Sequence, residues 1–396
     1  MSDSAPHPRI DEHDQRPHRH GGNPRIHELL ELLVKENCSD LHLKAGAPPC
    51  LRVRGELRAT DRPALGGDDI LAMAMEILTE KQQAHFLERG GIDLAHEIPG
   101  GERFRLNVYR QRGEASVAVR RVRRVIPTIA QLHLPPILET VADLSEGLVL
   151  IAGPTGSGKS TTVAAMIERI NQTRRRHIVT IEDPIEYLYQ DKLSLVDQRE
   201  IGIDVEDFAS AMKHLMRQDP NVIMVSDLRD RPTVEVALQA AETGHLVFAT
   251  LHSPGVAQTI GRILDLFPPE LRDHARRTLA LNLQAVVCQK LLPSIAPGVD
   301  RVPAAEILLV APVARQLILE SRDAELSDFI HMHEREGMQS LTRSLMELLQ
   351  KEYVEPKAAY DAASNVQELK MLMKGISASH RGYLARPRSG PSPDVL

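Results

Sequence analysis

Residues 147–160 read GLVLIAGPTGSGKS, an apolar run from Gly147 to Ala152 that passes directly into glycines, a lysine and a serine. The stretch STTVAAMIERIN (160–171) follows with the periodicity of a helix. GPTGSGKS fills every fixed position of the Walker A pattern and stands where that motif must stand, after a strand and before a helix. Its glycines let backbone N–H groups close around phosphates, Lys159 reaches the β and γ oxygens, and Ser160 can ligate Mg²⁺. The helix N-terminus adds a dipole favourable to anions. Gly153, Pro154, Thr155, Gly156, Ser157, Gly158, Lys159, Ser160 and Thr161 are therefore the expected binding loop for a nucleoside triphosphate.

Working outward, RHIVTIED (176–183), NVIMVSD (221–227) and GHLVFATLHS (244–253) repeat the form of the first run. Short continuous apolar segments of this kind are strands buried on both faces of a parallel sheet. Each ends in groups able to do chemistry: Gly153 onward, Glu182 with Asp183, Asp227, and His252. In an open α/β sheet the site lies beyond the carboxyl ends of the strands, so these four ends are expected to share one place. An acid closing a strand downstream of a P-loop is where a Walker B carboxylate belongs, orienting Mg²⁺ directly or through its water shell.

The first third of the chain has a different pattern. Residues 1–24 are polar, rich in Pro and His and without periodicity, and are expected to be a disordered tail. From Arg25, IHELLELLVKENCSD has helical spacing, and LHLKAGAPPCLRVRGEL reads as two short strands around a turn. DDILAMAMEILTEKQQAHFLE reads as one amphipathic helix, followed by two alternating strands, ERFRLNVYRQRG and EASVAVRRVRR. This order predicts a small α+β domain ending near Val125-Ile126-Pro127.

Composition narrows the function classes. A chain of 396 residues suits two or three domains. No Trp and 3% aromatics argue against a stacking platform for single-stranded nucleic acid, and a net charge of −6 gives no electrostatic reason for DNA as the main partner. The run Arg174 to Arg176 reads as a solvated helix end. Three scattered cysteines, Cys38, Cys50 and Cys288, form neither a disulfide framework nor a four-cysteine zinc site and fit a reducing, cytoplasmic compartment. No apolar stretch is long enough to span a bilayer, and membrane contact is expected only through a partner.

Together with the Walker A segment, TIEDPIEY (180–187), RQDPNVIMVSDLRD (217–230) and AETGHLVFATLHS (241–253) resemble the Asp box, Walker B and His box of the secretion ATPase superfamily. Ser39-Asp40-Leu41-His42, IPGGERFRLN (98–107) and GMQSL (337–341) extend the resemblance to its retraction branch, the type IV pilus motors of the PilT and PilU kind. The resemblance covers residues 25–375. It implies an α/β fold in which a PAS-like N-terminal domain (25–127) precedes a RecA-like ATPase domain with a helical C-terminal part (128–375), leaving 376–396 as a second disordered tail. It further implies a homo-oligomeric ring, usually a hexamer, that binds ATP and Mg²⁺ between domains. The ring would work on an inner-membrane pilus platform protein from its cytoplasmic face, with a paralogous motor as a further partner.

By the same resemblance, Glu182 polarises the attacking water, Asp227 is the Walker B acid that with Ser160 holds the metal, and His252 couples nucleotide state to the neighbouring domain. Arg217 and Arg229 take the arginine positions around Walker B, and Arg105, Arg112 and Arg120 those that the family directs toward the γ-phosphate. Two departures stand out. The usual Gly-Glu pair is here Ser226-Asp227, an acid one methylene shorter, so nucleotide binding is expected to survive and hydrolysis to be slow. VARQLILE (313–320) places Leu319 where the retraction motors often carry an Arg, and Gly202-Ile203-Asp204 is closer to the accessory PilU-like motors. The expected function is a pilus retraction ATPase, with a slow or accessory PilU-like motor as the form the departures suggest. The alternatives are an assembly or secretion ATPase, a nucleic-acid motor, and a nucleotide-binding paralogue with weak catalysis.

Overall fold

The computed structural model describes residues 25–53 and 56–374, so the two expected tails, 1–24 and 376–396, lie outside the described residues. The chain divides into a first unit, running to Val125 and including Glu186–Leu188, and a second made of Ile126–Ile185 and the chain from Tyr189 onward.

The first unit is built on six antiparallel strands: β1 (Asp40–Lys44), β2 (Cys50–Val53), β3 (Glu56–Ala59), β4 (Gly91–Ile98), β5 (Glu102–Gln111) and β6 (Glu114–Arg121), in the order β3-β2-β1-β6-β5-β4. Alternation decides its two faces. Leu41, Leu43, Leu106, Val108, Val117 and Val119 are buried in one core with Ile26, Leu30 and Leu33 of helix Arg25–Lys35 and Ile70 and Met73 of helix Gly67–Met75. The other parity carries charge: Asp40 pairs in register with Arg120, and Arg120 with Arg105.

Three features of this unit differ from the sequence reading. The single helix expected over 68–88 is two, Gly67–Met75 and Glu80–Arg89. The first ends at Met75 with Glu76 as its C-cap, and Thr79 caps the second: its side chain accepts from the Gln82 N–H, and Gln82 Oε1 accepts from the Thr79 N–H at 3.0 Å. Such a reciprocal capping box fixes a helix start more strongly than apolar periodicity can override. The segment read as two strands pairs a third, β3, and β4 was not expected at all.

The second unit holds β7 (Gly147–Ala152), β8 (His177–Glu182), β9 (Leu195–Glu200), β10 (Val222–Val225), β11 (Leu246–Leu251), β12 (Leu283–Pro293) and β13 (Arg301–Leu309), ordered β13-β12-β7-β11-β10-β8-β9. All neighbours are parallel except β12 and β13. Every residue of β7, β10 and β11 is buried, because separate apolar cores cover the two faces of the sheet. Phe248 in β11 is fully buried, and its truncation to Ala would cost about 3–5 kcal/mol. After β7 the chain passes over two places in the sheet, later filled by β11 and β10, before laying down β8. That reversal opens the crevice in which α/β sheets bind ligands. A last group of helices, Leu341–Gln350, Pro356–Ala362 and Val366–Met373, packs Leu345, Ala359 and Leu369 against Leu292, Val302 and Ala304 of the β12–β13 pair.

Candidate active site

The loop after β7 is shaped by what lies beneath it. Gly153 has φ 150°, and a Cβ there would come within 2.3 Å of the Gln289 carbonyl oxygen and 2.5 Å of Ser157 Oγ. Gly158, at φ 90°, is the N-cap of helix Lys159–Thr173, and a Cβ on it would meet Gln289 Nε2 at 2.9 Å. Neither position accepts another residue without the loop opening. The Gln289 side chain is pinned by the Thr162 hydroxyl, which donates to its Oε1 at 2.8 Å. Lys159 is buried, and its ammonium donates to the carbonyls of Gly153 at 2.9 Å and Pro154 at 3.0 Å. The Ser157 hydroxyl is buried without a hydrogen-bond partner. A cradle that excludes side chains, a buried cation and an unsatisfied hydroxyl at a helix N-terminus suit a phosphate chain.

The acids and the histidine lie along the same edge of the sheet. Glu182, Asp227 and His252 sit at or just beyond the carboxyl ends of β8, β10 and β11, which are consecutive neighbours, with β7 next to β11. At about 4.8 Å per strand, the loop and Glu182 are separated across the sheet by roughly 14 Å. Glu182 is buried, and its Oε1 accepts from Thr180 Oγ1 at 2.7 Å and Gln198 Nε2 at 3.0 Å. Two donors converging on one oxygen fix the carboxylate's orientation, as a group that aligns water requires. Asp227 is also buried; its Oδ2 accepts from Arg229 Nε at 2.7 Å and lies 3.9 Å from Nε2 of the half-exposed His252. Arg229 reaches Asp183 Oδ2 with its Nη1 at 2.9 Å, and the hydrogen bond to Asp227 holds its guanidinium above its ordinary pKa. Arg229 thus bridges the Walker B and Asp-box segments as a permanent cation.

Arg217 is not brought into this cluster. It is exposed and precedes β10, whereas Asp227 follows that strand, so the two stand at opposite edges of the sheet. It lines an open depression of about 430 Å³ with Asp207, Ser210, Lys213 and His214. Of the three arginines of the first unit, Arg105 and Arg120 are register partners on adjacent strands and Arg112 stands in the turn that joins those strands. Arg105 lies 3.7 Å from Asp93, Arg112 is exposed in the β5–β6 turn at φ 53°, and Arg120 donates to the buried Asp40 at 2.8 Å through Nε. Against the cost of burial, hydrogen bonds from Arg120 and Ser39 hold the Asp40 carboxyl below its usual range.

Sequence reasoning did not single out Gln289, Gln198 or Thr250. The signal for Gln289 was a polar residue inside the apolar run LQAVVCQKLLP, and for Thr250 a hydroxyl one residue inside the end of a buried strand.

A family model described as type II/IV secretion system protein matches residues 93–376. Over 338 residues the chain is 41% identical to the type IV pilus retraction ATPase PilT of Pseudomonas aeruginosa, covering 85% of this chain and 98% of that one. To the type IV pilus ATPase PilU of the same organism it is 35% identical over 368 residues, 93% of this chain and 96% of that one. Among solved structures, the crystal structure of the pilus retraction motor PilT with bound ADP matches with a TM-score of 0.81 at 40% identity, over 87% of this chain and 98% of that one.

Proposed function

Given that this chain belongs to the type II/IV secretion system protein family, we propose that it is a motor ATPase that couples ATP hydrolysis to type IV pilus retraction, the movement behind twitching motility. The observation that carries the proposal is the alignment of one binding loop, two buried acids and one histidine along the carboxyl edge of a single sheet. Nearly full-length similarity to a retraction ATPase supports the direction of the motor.

ATP would place its phosphates in the Gly153–Thr161 loop. Lys159 would exchange its bonds to the loop carbonyls for bonds to phosphate oxygens. Ser160 and Asp227 would hold Mg²⁺, which neutralises charge on the transferring phosphoryl group. Glu182, fixed by Thr180 and Gln198, would orient the attacking water and take its proton. Arg229 would hold Asp227 in place. His252, beside Asp227, would sense the state of the nucleotide. In a ring of identical subunits, usually six in this family, Arg105, Arg112, Arg120 and Arg217 would serve bound nucleotide from neighbouring elements, where each forked cation stabilises developing charge.

The ring would act on a platform protein at the cytoplasmic face of the inner membrane, with a paralogous motor as a further partner. No described helix is long and apolar enough to cross a membrane. The test is ATP turnover of the purified ring with and without the cytoplasmic part of a platform protein, together with restoration of twitching in a strain lacking its retraction ATPase. Restored secretion without twitching would replace retraction by export. Nucleotide binding without turnover would make the chain a regulatory paralogue.

A further inference from the structure

The ends of β8, β10 and β11 are joined by a knot of hydrogen bonds centred on Ser226. Its hydroxyl accepts from the Asp183 N–H at 3.1 Å, its N–H donates to the Ile181 carbonyl at 3.0 Å, and its carbonyl accepts from Thr250 Oγ1 at 2.5 Å. The Leu228 N–H then closes onto the Thr250 carbonyl at 2.9 Å. Thr250 is buried and Ser226 half-buried. Every member of the knot stands next to a site residue. Asp183 follows Glu182, Ser226 precedes Asp227, and Thr250 lies two residues before His252. Beyond Val225 the backbone pairing continues only through the Ser226 N–H to Ile181 and the Leu228 N–H to Thr250 among the described residues. The two hydroxyls add a side-chain bond on each side of Ser226, to the Asp183 N–H and from Thr250, beside the residues that do chemistry.

We propose that Ser226 and Thr250 are positioning residues that set the spacing among Glu182, Asp227 and His252. The inference rests on the reading of this site as the ATP-hydrolysing one. A glycine at 226 would keep the backbone bonds and lose the hydroxyl that takes the Asp183 N–H. In this chain the Ser226 side chain is thus the added link between the Asp box and a shortened Walker B acid. Geometry errors on the order of 1 Å are felt strongly in rate, and the two hydroxyls bond Asp183 and the Ser226 carbonyl rather than the binding loop, which follows β7, two strands from Ser226 and one from Thr250, so the loss of a hydroxyl should be read in turnover and not in nucleotide affinity.

The experiment compares Ser226→Ala, Thr250→Val, Thr250→Ser and the double variant Ser226→Ala/Thr250→Val with the parent. For each, kcat for ATP, ADP affinity by calorimetry and melting temperature are measured on the full chain. The expected result is a fall in kcat of about tenfold for Ser226→Ala and for Thr250→Val, with ADP affinity within about twofold of the parent. Thr250→Ser, which keeps the hydroxyl, should return to near the parent rate, and the double variant should fall by less than the product of the single losses. Unchanged kcat in both single variants overturns the proposal, as does a loss of kcat matched by a loss of ADP affinity or one that Thr250→Ser does not rescue. If Thr250→Val does not fold, Ser226→Ala, which removes one oxygen from a half-buried position, decides alone. Absence of turnover in the parent, or turnover insensitive to Lys159→Ala, would instead refute the underlying reading of the site.

Discussion

Replacing Asp227 by Glu tests whether the acid at the end of β10 is too short for its task or fitted to it. Asp227 Oδ2 accepts from Arg229 Nε at 2.7 Å and lies 3.9 Å from His252 Nε2, while Asp183 holds the same guanidinium at 2.9 Å. One more methylene carries the carboxylate about 1.5 Å further, whereas an N–H···O bond tolerates a spread of roughly 0.5 Å. The longer acid must push Arg229 off Asp183 or turn away from both partners. A misplacement on the order of 1 Å costs roughly a hundredfold in rate, equivalent to about 2.7 kcal/mol of transition-state stabilisation. We therefore expect Asp227→Glu to lower kcat by about ten- to a hundredfold. The binding loop lies two strands from Asp227, roughly 10 Å, so ADP affinity should hold. Adding Ser226→Gly, which gives the Gly-Glu pair usual in secretion ATPases, should not recover the rate, because it also removes the hydroxyl that takes the Asp183 N–H. Steady-state turnover and calorimetry on the same preparations decide it. A kcat equal to or above the parent's in the single variant would refute the fitted-acid argument and leave acid length as the limit on this motor.

Three further outcomes follow from other parts of the molecule. Lys159→Ala should abolish hydrolysis while the oligomer, judged by light scattering, stays intact, because the buried ammonium bonds carbonyls of its own loop and is placed for phosphate; turnover near the parent rate removes the loop from the mechanism. Arg→Ala at one or more of Arg105, Arg112 and Arg120 should lower kcat about tenfold or more, and parent-like turnover in all three makes them surface residues. His96 Nε2 lies 2.7 Å from His27 Nε2, and burial, aided by His27, pulls the His96 pKa from 6.5 down to about 4. Since the unfolded chain then takes up the proton first, stability present above pH 6.5 is lost as pH falls toward 4. His96→Gln should flatten the melting temperature across that window, and a profile as steep as the parent's refutes the assignment.

The central strands were legible because burial on both faces leaves an unbroken apolar run, and the run stops where the chain reaches the site. Gly147–Ala152 and Leu246–Leu251 carry that signature without interruption. β9 does not: it lies at the sheet edge, and LVDQRE alternates apolar, charged and polar residues that announce no strand. The β12–β13 pair escaped because its apolar residues continue directly from the preceding helix with no turn signal between Asn282 and Leu283. Among site residues, Glu182 and Asp227 could be found by their place at strand ends. Gln289 and Thr250 could not, since what matters in them is the partner each meets across the fold: Thr162, 127 positions away, and the Ser226 carbonyl. Arg217 came from the resemblance, at an arginine position around Walker B; in the fold it is exposed and precedes β10, whereas Asp227 follows that strand.

The first unit is not one continuous piece of chain. Glu186–Leu188 belongs to it although the binding loop, its helix and β8 all come between Val125 and that segment. Within the unit, the Arg123 N–H donates to the Glu186 carbonyl at 3.2 Å, and the Leu188 N–H donates to the Arg123 carbonyl at 3.0 Å. During synthesis, this unit therefore waits for the strand bearing Glu182 before its last backbone bonds can form. A fragment ended at Val125 would leave both Arg123 backbone groups without those partners. A first unit moved into another chain without Glu186–Leu188 would therefore lose the two backbone bonds that close it at Arg123.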